Sequence, residues 1–125
     1  MKGICYAAGP YRGRSGWKII RALQVARNVL RAWRWAWRLN RAGWFTVSPH
    51  ANSAFMDFAA PANHWLYGDL EIIRSLAAQN RQDFYLALLP GWEKSQGTLA
   101  ERELALRLGV PVRTAEAMLG QPERR

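Results

Sequence analysis

At 125 residues, half of them apolar and seven of them Trp, the chain can build one hydrophobic core and has no room for a second. The same figures exclude disordered, collagen-like and low-complexity classes. A formal charge of +9 points to an anionic partner, and nucleic acid, an anionic membrane surface and a small phosphorylated ligand all satisfy it.

Gly3 to Ala8 (GICYAA) is a short apolar run with β-compatible residues, closed by Gly9-Pro10, which predicts a buried first strand ending in a turn. Its Cys5 is the single cysteine, so no internal disulfide can form and a buried, inert thiol in a reducing compartment is expected. Gly9, Pro10 and two arginines follow this apolar stretch too soon for a signal peptide, and no run approaches the roughly 18 apolar residues of a membrane span. A cytoplasmic location and no membrane partner are therefore expected.

Ser15 precedes a long helical stretch from about Trp17 to Arg41. Ile19, Leu23, Ala26, Leu30, Trp33 and Trp37 recur at steps of four and three, a stripe expected to face the sheet. Arg27, Arg31, Arg34, Arg38 and Arg41, interleaved with Trp35, form another face. That face suits nucleic acid or a membrane, and equally a solvated outer surface or a subunit contact. With the apolar stripe engaged by the sheet, the solvated or subunit face is favoured and no nucleic-acid partner is expected. Gly43 is the expected helix stop.

Trp44 to Val47 (WFTV) is the second strand, stopped by Ser48-Pro49, and residues 48–63 read as an extended loop holding His50 and Asn52. A helix from about His64 to Ala78 follows, with Leu66, Leu70, Ile73 and Ala77 on one face and Asp69 opening that face. Asp83 to Leu89 is the next buried strand, punctuated by Pro90-Gly91. A helix from about Thr98 to Leu108 turns Leu104 and Leu108 inward and closes at Gly109. Val110-Pro111-Val112 is the last strand, and residues 114–119 add a helical turn. The alternation predicts an α/β domain with a flavodoxin-like or Rossmann-like parallel sheet of four to five strands covered by helices.

In such sheets ligands bind beyond the carboxyl ends of the strands, which nominates 9–14, 48–52, 69 and 90–101. The first turn, Gly9-Pro10-Tyr11-Arg12-Gly13, has glycines for close backbone approach to an anion and an arginine for bidentate contact with phosphate oxygens. Without a Walker or GxGxxG pattern, it is equally compatible with an ordinary loop. Glu101 shares a helix face with Ala105 and Leu108, an inward-leaning position unusual for a glutamate. Placed in the first helical turn, it is also compatible with a simple dipole partner. Two histidines and one cysteine without close spacing give no zinc site, and neither metal nor cofactor is expected.

Together, Tyr6-Ala7-Ala8-Gly9-Pro10-Tyr11-Arg12, Ser48-Pro49-His50, Asp69, Pro90-Gly91-Trp92 and Ser95-Gln96-Gly97 through Glu101 resemble the nucleoside 2-deoxyribosyltransferase-like family. That family includes the deoxynucleoside 5′-monophosphate N-glycosidases, and the resemblance covers about residues 3–112. It implies a flavodoxin-like fold in which Glu101 attacks C1′ of the sugar, Tyr6 contacts that glutamate, and Asp69 binds the sugar or assists base departure. Gly9, Pro10, Arg12, Gly13, His50, Asn52, Ser95 and Gly97 would line the substrate, with Arg12 on a 5′-phosphate. Ser95, where transferases of free nucleosides tend to carry Asp, tilts the resemblance toward a nucleotide, because Ser donates a hydrogen bond to phosphate and Asp repels it. Pro10 departs from the monophosphate enzymes, which have a serine there, and the stretch between Asp69 and Asp83 is longer than typical. The resemblance further implies a homo-oligomer.

Overall fold

Strand β1 (Gly3–Ala8) is apolar at nearly every position because helices cover both sides of the sheet in which it is central. The computed structural model describes residues 1–11, 15–50 and 59–121. After β1 come α1 (Lys18–Arg41), β2 (Trp44–Val47), α2 (Ala62–Ala77), β3 (Phe84–Leu88), a 3₁₀ turn (Trp92–Lys94), α3 (Gln96–Arg107), β4 (Val112–Thr114) and α4 (Ala115–Leu119). Among the described residues four strands form one sheet in the order β2-β1-β3-β4, and all its pairings are parallel. The α/β flavodoxin-like architecture expected from the alternation of elements is the one observed.

Side-chain alternation along the strands sorts the core into two layers. Cys5, Ala7, Tyr85 and Ala87 point to one side and pack with Ala32 and Leu39 of α1, Trp44, and Ala115 and Met118 of α4. Tyr6, Ala8, Leu86 and Leu88 point to the other and pack with Ile73 of α2 and Leu104 and Ala105 of α3. Trp44 anchors the first layer, edge-on to Tyr85, with its indole Nε1 donating to the Met118 carbonyl at 3.1 Å. Trp44→Phe should leave a gap where the larger indole packed and remove this hydrogen bond, while Gly120 and Gln121 N–H still donate to the Met118 carbonyl, lowering stability by about 1–3 kcal/mol. A urea unfolding midpoint equal to that of the parent would refute this.

Three expectations need correcting. The apolar stripe of α1 does not face the sheet: Ile19, Leu23, Leu30, Trp33 and Trp37 are 49–78 % exposed, and the helix instead buries Ala32 and Leu39 and packs Trp35 against the core. The small Ala32 lets the helix axis approach the strands, which the tryptophans of the other face would prevent. Leu108 is not inward but 44 % exposed, because α3 ends at Arg107 and Leu108 is its cap residue.

The last strand also begins later than Val110. Gly109 takes a left-handed φ of +76°, its N–H donates to the Leu106 carbonyl, and Val110 N–H donates to the Ala105 carbonyl at 2.9 Å. This two-bond cap spends Val110 on terminating the helix. Pairing with β3 then starts where Leu86 N–H meets the Pro111 carbonyl.

Candidate active site

With this strand order the topological switch point lies between β1 and β3, and their carboxyl ends open onto Gly9-Pro10 and Pro90-Gly91. The two turns pack closely. A Cβ on Gly9 would lie 2.7 Å from the Leu89 Cβ, so glycine is required there by the fold itself. Gly91 has φ +87°, and a side chain on it would press on the Pro10 ring at 3.2 Å. His50 is buried, stacks on Tyr11 at 5.2 Å between ring centroids, and donates its Nε2–H to the Gly9 carbonyl. Burial lowers its pKa, which keeps the ring neutral and suits this bond. His50 therefore braces the first turn. Arg12, Gly13 and Asn52 lie outside the described residues.

The second layer of the core gathers the chemistry. Glu101 is only 4 % exposed, on the α3 face that also buries Thr98, Leu104 and Ala105. Because α3 begins at Gln96, Glu101 stands in the second turn and the first turn holds no acid, so the helix dipole does not account for it. Ser95 caps the helix: its Oγ accepts from the Thr98 backbone N–H at 3.3 Å and from the Thr98 hydroxyl at 3.0 Å. Gly97 adjoins Leu66 of α2, and a Cβ there would make only ordinary contact at 3.9 Å, so packing does not demand that glycine.

Tyr6 reaches Glu101 from β1, and Asp69 lies close enough to raise the pKa of both. The Glu101 carboxyl is pushed up to about 8, first by burial, while the Tyr6 hydroxyl pulls it down and the Asp69 carboxyl raises it further. Burial lifts Asp69 to about 6. Tyr6 is driven far above the usual phenol range by burial and by the two carboxyls, so it remains a neutral donor. Although Tyr6 steadies the carboxylate, neither its hydroxyl nor Glu101 Oε2 completes a hydrogen bond of normal geometry. Two buried polar groups thus face each other with capacity to spare, which is unusual in a folded interior.

Tyr6, Asp69 and Glu101, drawn from β1, α2 and α3, are therefore neighbours. Ser95 and Gly97 open the helix that carries Glu101. Trp65, not selected from the sequence, is one turn before Asp69 on α2 and has a buried Nε1 without a partner among the described residues. Its i, i+4 spacing from Asp69 is the signal that would have found it. Thr98 was also missed, and nothing but a structure reveals that its hydroxyl is fully buried against Ser95. Cys5 is on the opposite side of the sheet with its thiol pushed up to about 11 by burial, an unreactive state. Among the described residues no three His, Cys, Asp or Glu side chains gather as a metal set. Compared with models of protein families and with curated proteins, the chain matches none.

Proposed function

We propose that this chain is an N-glycosidase acting on a nucleoside 5′-monophosphate through a covalent Glu101–sugar intermediate. The observation that carries the reading is the buried Glu101 carboxyl, with Tyr6 and Asp69 around it at the switch point of a parallel sheet. The resemblance to the nucleoside 2-deoxyribosyltransferase-like family, drawn from residues of four separate elements, supports the same assignment.

In the first step a Glu101 carboxylate oxygen bonds to C1′ while the bond from C1′ to the base nitrogen breaks. The electron pair leaves with the base, which takes a proton from Asp69. Water then attacks C1′, gives its proton to Asp69 and frees Glu101. A carboxylate close to the anomeric carbon also stabilises the cationic character of both transition states. Arg12 and Ser95 hold the 5′-phosphate; the Ser95 oxygen accepts from Thr98, leaving its own O–H to donate. Assembly as a homo-oligomer belongs to the same reading.

Two carboxyls with values of about 6 and about 8 hold one proton between them across the neutral range. The resting pair keeps it on Glu101. The reactive arrangement, with Glu101 charged and Asp69 protonated, contains the same number of protons and needs only their redistribution. Base release should accordingly follow a bell in kcat/KM with limbs near 6 and 8, losing the shared proton above and binding a second below. Incubation with a panel of nucleoside 5′-monophosphates and free nucleosides, followed by chromatography of the released base across pH 5 to 9, tests both claims. Added free base distinguishes transfer from hydrolysis. If no compound in the panel loses its base, the proposed activity is wrong; a flat profile removes the two-carboxyl mechanism.

A further inference from the structure

The outward face of α1 has no use in the site above. Ile19, Leu23, Leu30, Trp33 and Trp37 fall within about 80° of one another around the helix axis and run along about 27 Å of it. They lie roughly opposite the face that packs on the sheet through Ala32, Trp35 and Leu39. All five are largely exposed, a contiguous apolar strip far from the scattered surface leucine that needs no explanation. Arg27, Arg34, Arg38 and Arg41 flank the strip on one side, and two of the helix's guanidiniums lie over indole rings, Arg38 on Trp35 at 4.3 Å and Arg41 on Trp37 at 5.0 Å. The whole helix carries one lysine and six arginines and no acid.

We propose that α1 is a peripheral membrane-binding face that seats the protein on an anionic lipid surface. The charge decides between occupants. A second copy pairing stripe to stripe brings two all-cationic helices together without a carboxylate on either to answer them. A phosphodiester backbone answers the arginines but leaves the aliphatic part of the stripe in water. An anionic bilayer answers both: the stripe enters the boundary between headgroups and acyl chains, the tryptophans occupy the interfacial layer, and the arginines reach the lipid phosphates with their stems on apolar surface. No helix among the described residues is long and apolar enough to cross a membrane, so the helix lies on the surface.

Co-flotation of the whole chain with vesicles tests this. Binding is expected to vesicles of equal parts phosphatidylcholine and phosphatidylglycerol, to weaken with added salt, and to be at least tenfold weaker with phosphatidylcholine alone. Leu30→Glu with Trp33→Glu should abolish flotation, and Arg34→Gln with Arg38→Gln should weaken it about tenfold or more. Because these side chains are exposed, circular dichroism should be unchanged; Ile19→Glu with Leu23→Glu, nearer the helix start, gives an independent second test. Failure to float with the anionic vesicles overturns the proposal. So does a dimer by light scattering that Leu30→Glu with Trp33→Glu converts to monomer, or salt-sensitive binding to an oligonucleotide but not to vesicles.

Discussion

Glu101→Gln is expected to reduce kcat for base release by about 10³-fold or more, the scale on which loss of a covalent nucleophile acts in other enzymes. The amide matches the carboxyl in shape, so it should keep the packing of the buried α3 face that position 101 shares with Leu104 and Ala105. What it lacks is the charge that, in the proposed mechanism, attacks C1′ and stabilises its cationic character. Glu101→Asp separates chemistry from placement. It retains the charge but withdraws it by one methylene, and a displacement of that size costs about 10²-fold. KM should change little in either variant, because the phosphate grip assigned to Arg12 and Ser95 is untouched. Full activity in Glu101→Gln would mean that the buried carboxyl is not the nucleophile, whatever the substrate.

Much of this site was legible because its signals are local and chemical. The sequence nominates Glu101 on the inward spacing of a helix but equally as a dipole partner, and its burial, with Leu108 exposed, is what decides between the two. The alternation of elements predicts a parallel sheet but not the order of its strands, and the order β2-β1-β3-β4 that sets β1 beside β3 comes from the structure. Other features depend on competition between equals. Helix α1 has two apolar arcs, and periodicity fixes the helix without saying which arc meets the sheet. The bulkier arc, with Trp33 and Trp37, is outside because Ala32 permits a closer approach to β1 and β2. Val110 has the composition of a strand residue but is taken by the cap that Gly109 starts, and Glu101 moved from first to second turn because Ser95 caps α3 early. Thr98 became visible only through burial of its hydroxyl, whereas Trp65 stood one helical turn before Asp69 in the sequence and was passed over.

Glu101→Gln should also make the protein more stable at mildly alkaline pH, and this expectation is independent of any substrate. Unfolded, the glutamate has its ordinary value of 4.5; folded, burial raises it to about 8. Below 4.5 both states hold the proton and the glutamate carries no titration penalty. Between 4.5 and 8 the unfolded chain has released the proton that the folded one keeps, so stability falls as pH rises, and above 8 the full cost of a buried charge is present. Gln does not titrate and escapes that loss. The variant should gain on the order of 1–3 kcal/mol over the parent at pH 8, a rise in Tm of roughly 4–10 °C, with the gain fading as pH falls toward 5. Asp69 falls in the same direction through about 6 and is coupled to Glu101, so relief of the repulsion between the two carboxyls is part of the gain expected of the variant at pH 8. Thermal unfolding of both at pH 5 and pH 8 decides the matter: equal or lower stability of the variant at pH 8 would show that the folded protein solvates this carboxylate well. A variant that is more stable and at the same time inactive is the signature of a charge retained at a folding cost, which is what a buried nucleophile requires.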